Sequence, residues 1–364
     1  MLCEKVSSQY DHTLLLVDHE ATVWGFGDNS FGQLGSEHFV PAGEIKGLPK
    51  IQSAAAGGSC SNFLDFDGNV WCCGRNQFGQ LGLGDVKVRK SLEKVPNLPR
   101  IISIFAGQYF TLFIDEEWCV WGCGNNGFGQ LGLGNVIHRK IPEKITSLPK
   151  IQKIAAAQYH TLFLDEQNCV WGCGHNEFGQ LGLGDTRART TPQKIENLPL
   201  IQQCSANGHH TALLDDEGNI WVCGSNTFGE AGMGDNVERH VPTKSPHLLP
   251  IQAVSCGVSH ALYIDTEGSV WSVGSNEHGQ LGLKILVHRN LPEKIPNIPP
   301  MQGILGCTFH SIFLDFENNL WGCGLNSQIQ LPGIQTKWVE SPVKGQNIPK
   351  PARSKSEIKS ARIS

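Results

Sequence analysis

Ala155-Ala156-Ala157-Gln158-Tyr159-His160-Thr161-Leu162-Phe163-Leu164-Asp165 is followed, after a short polar turn, by Cys169-Val170-Trp171-Gly172-Cys173-Gly174 and by His175-Asn176-Glu177-Phe178-Gly179-Gln180-Leu181-Gly182-Leu183-Gly184-Asp185. Two short apolar runs joined by a turn predict a β-hairpin, and the turn Asp215-Asp216-Glu217-Gly218-Asn219 marks the same feature one copy later. The segment that follows, Pro192-Gln193-Lys194-Ile195 to Leu198-Pro199, is extended and proline-punctuated. Helical periodicity is absent, so the unit reads as a small antiparallel sheet.

Outward from this stretch the unit recurs along the whole chain. Trp24, Trp71, Trp121, Trp171, Trp221, Trp271 and Trp321 mark seven copies, separated first by 47 and then by 50 residues. A lone sheet of this size cannot bury both faces, so neighbours must stack, and glycine-rich units of this length fit the blades of a propeller. The predicted fold is all-β, a single seven-bladed β-propeller over residues 1–350, with repeats at about 3–50, 51–100, 101–150, 151–200, 201–250, 251–300 and 301–350. Residues 351–364 form a short basic tail, expected to be disordered. An open stack would expose two sheet edges, so first and last blades are expected to meet, with strands from opposite chain ends completing one sheet. The end copies are the irregular ones, as repeat arrays usually show: Phe39-Val40-Pro41-Ala42-Gly43 replaces a longer loop in the first, and Ser327-Gln328-Ile329-Gln330-Leu331-Pro332-Gly333 degrades the glycine loop of the last.

Composition agrees. Of 364 residues only 17% are charged, while 42 are glycine and 9 tryptophan, which excludes a coiled coil and a disordered linker protein. The net charge is −5, and the last fifteen residues carry five Lys or Arg against one Glu, so the body is more acidic still. An acidic body is a poor platform for phosphates, and no direct nucleic-acid binding is expected. Thirteen cysteines, an odd number, stand in a chain whose opening Met1-Leu2-Cys3-Glu4-Lys5 offers no apolar signal core. They read as reduced thiols of an intracellular protein, cytoplasmic rather than nuclear, with no membrane span and a monomeric state expected.

The candidate sites are columns of the repeat. Cys119 and Cys123, like Cys169 and Cys173, are four apart, but on a strand that places them about 13 Å apart, too far for one tetrahedral metal. Two residues after each tryptophan stand Phe26, Cys73, Cys123, Cys173, Cys223, Val273 and Cys323, so cysteine serves as a compact core residue and no metal is expected. His12, His160, His210, His260 and His310 share a column with Cys60 and Phe110, which favours core histidines over ligands. Asp65, Asp115, Asp165, Asp215, Asp265 and Asp315 sit where hairpins turn and are read as turn residues bonding local amides. Gly122, Gly124 and Gly127 match a dinucleotide fingerprint by letter but lack its βαβ context, and the third glycine is peculiar to that copy. No cofactor and no covalent catalytic constellation is expected. Arg89, Arg139, Arg189, Arg239 and Arg289 recur eighteen residues after the tryptophans. They are candidate partner-binding residues, a ring meeting an acidic partner, although the spacing to Asp85, Asp185 and Asp235 favours pairing within each loop. Trp338 stands outside the tryptophan column and is a further partner-binding candidate.

The pattern of His-Thr, an apolar strand, a Trp-Gly strand and Asn-x-x-Gly-Gln-Leu-Gly-x-Gly-Asp at His160 to Asp185 resembles the repeat of the regulator of chromosome condensation family. Equivalent loops stand at Asn76 to Asp85, Asn126 to Asn135, Asn226 to Asp235 and Asn276 to Leu283. The resemblance implies a propeller that docks protein partners, and its name-giving member is an exchange factor for the small GTPase Ran held on chromatin. No wedge-like insertion stands out here, because the period from Trp71 to Trp321 never departs from 50, and a basic N-terminal arm like that of the name-giving member is not seen in the sequence. The leading expectation is therefore a protein-protein interaction module, a rigid scaffold docking partners through its loops. The alternative is a guanine-nucleotide exchange factor for a Ran-like small GTPase, and a hydrolase with axial carboxylates ranks last. Loop segments that differ between copies are the expected contacts: Glu37-His38-Phe39, Lys284-Ile285-Leu286 and Gln335-Thr336-Lys337-Trp338.

Overall fold

The computed structural model describes residues 5–17, 21–36, 42–248 and 250–351. Cys3, the segment Glu37-His38-Phe39 and the tail after Pro351 lie outside the described residues. Seven four-stranded antiparallel sheets follow one another along the chain, each of four consecutive strands, and no helix occurs among the described residues. In blade four, strand A is Ile151–Ala156, strand B His160–Asp165, strand C Val170–Gly174 and strand D Arg189–Lys194. The A strands of successive blades lie against one another around the axis, and the D strands form the rim.

Strand B shows why the ring exists. All six residues His160–Asp165 are buried, which a sheet with one wet face would not allow. Side chains alternate between faces: Phe163 packs with Phe110, Leu112 and Ile114 of blade three, whereas Leu162 and Leu164 pack with Leu213 of blade five. Each blade is therefore a wall between two cores, and the apolar clusters lie between blades.

Polar groups on these faces follow the same alternation. Thr161 Oγ1 donates to the Gln130 carbonyl of blade three at 2.7 Å, and Cys173 Sγ approaches the same oxygen at 3.5 Å. His160 Nε2 pairs with Thr211 Oγ1 of blade five at 3.2 Å. Equivalent pairs join His12 to Ser61 (3.1 Å) and His260 to Ser311 (3.0 Å). His12, His160, His260 and His310 thus make buried inter-blade bonds, and the cysteines after the tryptophans are core residues. No group of three or more His, Cys, Asp or Glu side chains is arranged to hold a metal among the described residues.

The glycine loop is the clasp between blades. Asn126 Oδ1 accepts from Leu131 N at 2.9 Å and its Nδ2 donates to the Asn135 carbonyl at 2.9 Å, so one side chain sets the loop's shape. Gly134 N then reaches the Thr190 carbonyl on strand D of the next blade at 2.8 Å. Gly129 has φ +83°, and a Cβ there would stand 2.5 Å from Thr190 Cα, so both conformation and proximity require glycine. The aspartates bond local amides as expected: Asp165 Oδ1 accepts from Gln167 N and Cys169 N, both at 2.9 Å. Its other oxygen takes the Trp171 indole N–H at 2.8 Å, and the Asp–Trp pair recurs in every blade from two to seven.

Closure differs from the expectation that strands from both chain ends share a sheet. The first copy supplies its own strand A, Val6–Gln9, so no blade lacks a strand. Blades one and seven instead join by packing, with Val6, Leu15 and Phe26 in one core with Leu320, Cys323 and Leu331. Ser8 Oγ meets His310 Nε2 at 2.9 Å, and a single bridge pairs Val17 with Pro351.

Two predictions follow from the inter-blade bonds. Blade six carries Ala261 where the others have Ser or Thr, and both ring nitrogens of buried His210 are without a hydrogen bond. Ala261→Ser restores the hydroxyl between His210 and the Glu230 carbonyl, and is expected to raise unfolding free energy by about 1 kcal/mol. A denaturation midpoint equal to or below that of the parent protein contradicts this. Burial also pushes His12 down to about 4, and His260 and His310 to about 3, from an ordinary value of 6.5. The unfolded chain then binds more protons than the folded one below pH 6.5, so stability is full above that pH and falls as pH drops toward 4. Urea midpoints at pH 7 and pH 5 measure this, and equal midpoints contradict it.

Candidate protein-docking face

The propeller has two unlike faces. One carries the A–B loops near the axis and the long C–D loops outside them, and the other carries the tight B–C turns and the connectors between blades. The five arginines open strand D at the rim of the loop face, and each is engaged locally. Arg89 pairs with Asp85 at 2.9 Å and Glu93 at 2.7 Å, Arg189 with Asp185 at 2.8 Å, Arg239 with Asp235 at 2.7 Å, Arg289 with Glu293 at 2.5 Å, and Arg139 with Glu143. Each also donates to a backbone carbonyl two residues earlier, at 2.5 to 3.2 Å. Their guanidinium groups brace the C–D loop against the outer strand. Asp185 is held well below the usual carboxylate range by the hydrogen bond from Arg189.

Further in, the loop face presents aromatic rings in four groups. Arg75 lies over Phe31 at 5.0 Å and Tyr109 at 5.8 Å, and Phe78 meets Tyr109 at 5.4 Å and His138 at 5.1 Å. Phe128 contacts Tyr159 at 5.3 Å and His175 at 4.7 Å, while His209 meets His175 at 5.3 Å and Phe178 at 4.9 Å. Phe228 pairs with His288 at 5.1 Å. His278 meets Phe309 at 4.9 Å and Trp338 at 6.5 Å. Most contacts are tilted or edge-to-face, the arrangement the ring quadrupole favours. Phe128 and Phe309 are each 40% exposed and Trp338 is 48% exposed, so the arc combines mutually braced rings with solvent-facing apolar surface.

At the centre Tyr10 extends from blade one to blade four, where Gln158 Nε2 donates to its hydroxyl. Burial and the neighbouring Tyr109 and Tyr159 raise the Tyr10 phenol above its ordinary value, so it stays neutral. Beside it Gln108 donates to Tyr109 Oη at 3.1 Å. His175 is shifted down by burial, partly countered by the Glu177 carboxylate 3.3 Å away, and His209 is shifted down by burial and by its histidine neighbours. Both shifts disfavour the imidazolium forms, so the two rings add no positive charge to the middle of the arc at pH 7.

Sequence reading singled out Trp338, which the structure places at one end of the arc, and the five arginines, which it places on the rim. It missed Phe78, Phe128, Tyr159, Phe178 and His209. The signal was present as a column of phenylalanine two residues after the loop asparagine, at Phe31, Phe78, Phe128, Phe178 and Phe228, for which no core role is needed. Of the divergent loop segments, Ile285 and Leu286 are exposed at the rim beside Lys284, which holds φ +63° where copies two to five have glycine. On the opposite face Phe66, Trp118, Leu200 and Phe316 are exposed singly on separate turns and connectors, and Trp118 adopts φ +66°.

Solved structures bear out the architecture. The chain is similar to the human protein WBSCR16, with 23% identity over 85% of this chain and 86% of that one and a TM-score of 0.78. It is similar to Prp20p from Saccharomyces cerevisiae, described with its binding to Gsp1p and histones, with 25% identity over 83% and 80% and a TM-score of 0.75. The yeast RCC1 (Prp20) bound to Kap60 matches at 23% identity over 83% and 77%, with a TM-score of 0.76. No curated protein matches the sequence significantly. The sequence model of the regulator of chromosome condensation (RCC1) repeat matches residues 67–114, 119–164, 167–214, 217–264 and 267–314. With well over half of its length in such repeats and all seven blades in place, the chain belongs to the regulator of chromosome condensation repeat family.

Proposed function

We propose that the protein is a non-enzymatic docking scaffold that holds a partner protein on its loop face. The observation that carries this reading is the arc of mutually packed aromatic side chains on that face, half-buried except for the exposed Phe128, Phe309 and Trp338. Aromatic residues on a rigid base supply large contact area at little entropic cost, the composition that protein interfaces concentrate. The five rim arginines frame the arc, but their charge is already spent on their own loops, so binding energy is assigned to the rings and to Trp338. A second reading, catalysed guanine-nucleotide exchange on a Ran-like small GTPase, is favoured by the likeness to Prp20p and its described binding to Gsp1p.

Affinity capture from cell extract, followed by direct binding of the captured protein, tests the first reading. Phe178→Ala combined with Trp338→Ala is expected to weaken binding at least about tenfold, the loss of about 1.4 kcal/mol or more. Phe66→Ala combined with Phe316→Ala on the opposite face is expected to leave it unchanged, and the reverse pattern overturns the proposal. Release of a fluorescent guanine nucleotide from a panel of small GTPases separates the readings: acceleration establishes exchange, and no acceleration leaves the scaffold.

A further inference from the structure

We infer that the outer strand of blade two, Arg89–Lys94, takes an extended acidic segment of a partner protein as a fifth strand. This contact lies on the circumference of the ring and is independent of docking on the loop face.

The repeat makes every outer strand a reference for the others. Strand D ends its sheet in all seven blades, so each blade turns one strand edge outward. An unpaired edge is a template for another chain, and a proline on it removes a donor and blunts that template. Blades three to seven each carry one at the same place, as Pro142, Pro192, Pro242, Pro292 and Pro342. Blade one has an outer strand of only three residues, Ala42–Glu44. Blade two has the full six, with Leu92 where the proline stands elsewhere.

The register shows which way the backbone of that residue points. Glu93 lies opposite Cys72, and Val95 N donates to the Val70 carbonyl at 2.8 Å, so Glu93 and Val95 turn their polar groups to strand C. Leu92 and Lys94 alternate with them and turn theirs outward, and neither amide has a partner among the described residues. Proline is harmless at this place in five blades for the same reason: strand C does not use that N–H. Packing does not ask for leucine either. A Cβ on Gly35 would stand 3.3 Å from Leu92 Cγ and one on Gly82 would stand 3.1 Å from Pro142 Cγ, so the two side chains cover equivalent glycines of the preceding blade. Leucine therefore adds to the rim a donor that five other blades lack.

Charge names the occupant. Arg89 is neutralised by Asp85 and Glu93, whereas Lys90 and Lys94 are exposed and make no ion pair among the described residues. Opposite charges on paired strands attract and like charges repel, so carboxylates are favoured on the incoming strand. The free ladder is short, the N–H and C=O of Leu92 and Lys94, and suits a segment of a few residues added by main-chain bonds.

The test titrates a fluorescein-labelled peptide, Thr-Glu-Val-Glu-Val-Glu-Thr, with the full chain and follows anisotropy. Saturable binding is expected, at least about tenfold tighter than that of the same peptide with every backbone nitrogen methylated, the loss of two hydrogen bonds. At saturation, hydrogen exchange of the Leu92 and Lys94 amides is expected to slow. Leu92→Pro gives blade two the edge of blades three to seven, and is expected to abolish binding while melting temperature and circular dichroism stay those of the parent. Lys90→Glu combined with Lys94→Glu keeps the edge donors and is expected to weaken binding at least about tenfold by like-charge repulsion. No saturable binding, equal binding of the methylated peptide, or full binding by either folded variant overturns the inference. Phe178→Ala with Trp338→Ala is expected to keep peptide binding, and its loss there would put the contact on the loop face and overturn the edge assignment.

Discussion

Everything in this molecule depends on the fact that a four-stranded blade has two apolar faces and no means of covering either. The bond from Thr161 to the Gln130 carbonyl, and its equivalents around the ring, settles the problem in register. One face of strand B reads the preceding blade and the other reads the following blade. A buried hydroxyl must find a partner, and a carbonyl on the neighbouring loop is placed to receive it. The apolar cores and the polar bonds therefore specify the same relative position of blades, and a fixed position repeated seven times closes on itself.

This is why so much of the fold could be read from the chain. A period of 50 residues with tryptophan at a constant place announces both the unit and its number, and glycines such as Gly129 are legible because only a close approach of backbones explains them. The columns of His160 and Cys173 were legible as core because each tolerates apolar substitutes elsewhere in the ring. The Asp–Trp bond was not drawn, although the separation of six residues from Asp165 to Trp171 is constant from blade two onward. That blades one and seven meet was legible, but that the first copy keeps all four of its own strands was not, because pattern alone does not say which copy owns an end strand, and Val6–Gln9 is too short and mixed to declare itself.

The candidate face was harder to read for a physical reason. Arginine columns attract notice as charge, yet charge placed beside Asp85 or Glu143 is neutralised where it stands. The rings of Phe128, Tyr159 and Phe178 look like core residues in a sequence, since aromatic residues are usually buried. Only the loop geometry turns them outward. What distinguishes blades on this face is therefore small: Arg75, Asn125, His175, Ser225 and Ser275 occupy one column, and the exchange of one of these changes the local chemistry without disturbing the frame.

The contact between Tyr10 and Gln158 spans the hub from blade one to blade four. A ring of walls joined only to their neighbours can ovalise, flattening along one diameter while each joint turns slightly. A strut across the hub resists that deformation, and it springs from the blade next to the seam, where blades one and seven are joined across the chain ends. Force applied by a bound protein at one sector is thereby carried to the far side through the middle as well as around the circumference. The wheel has a spoke where its rim is jointed.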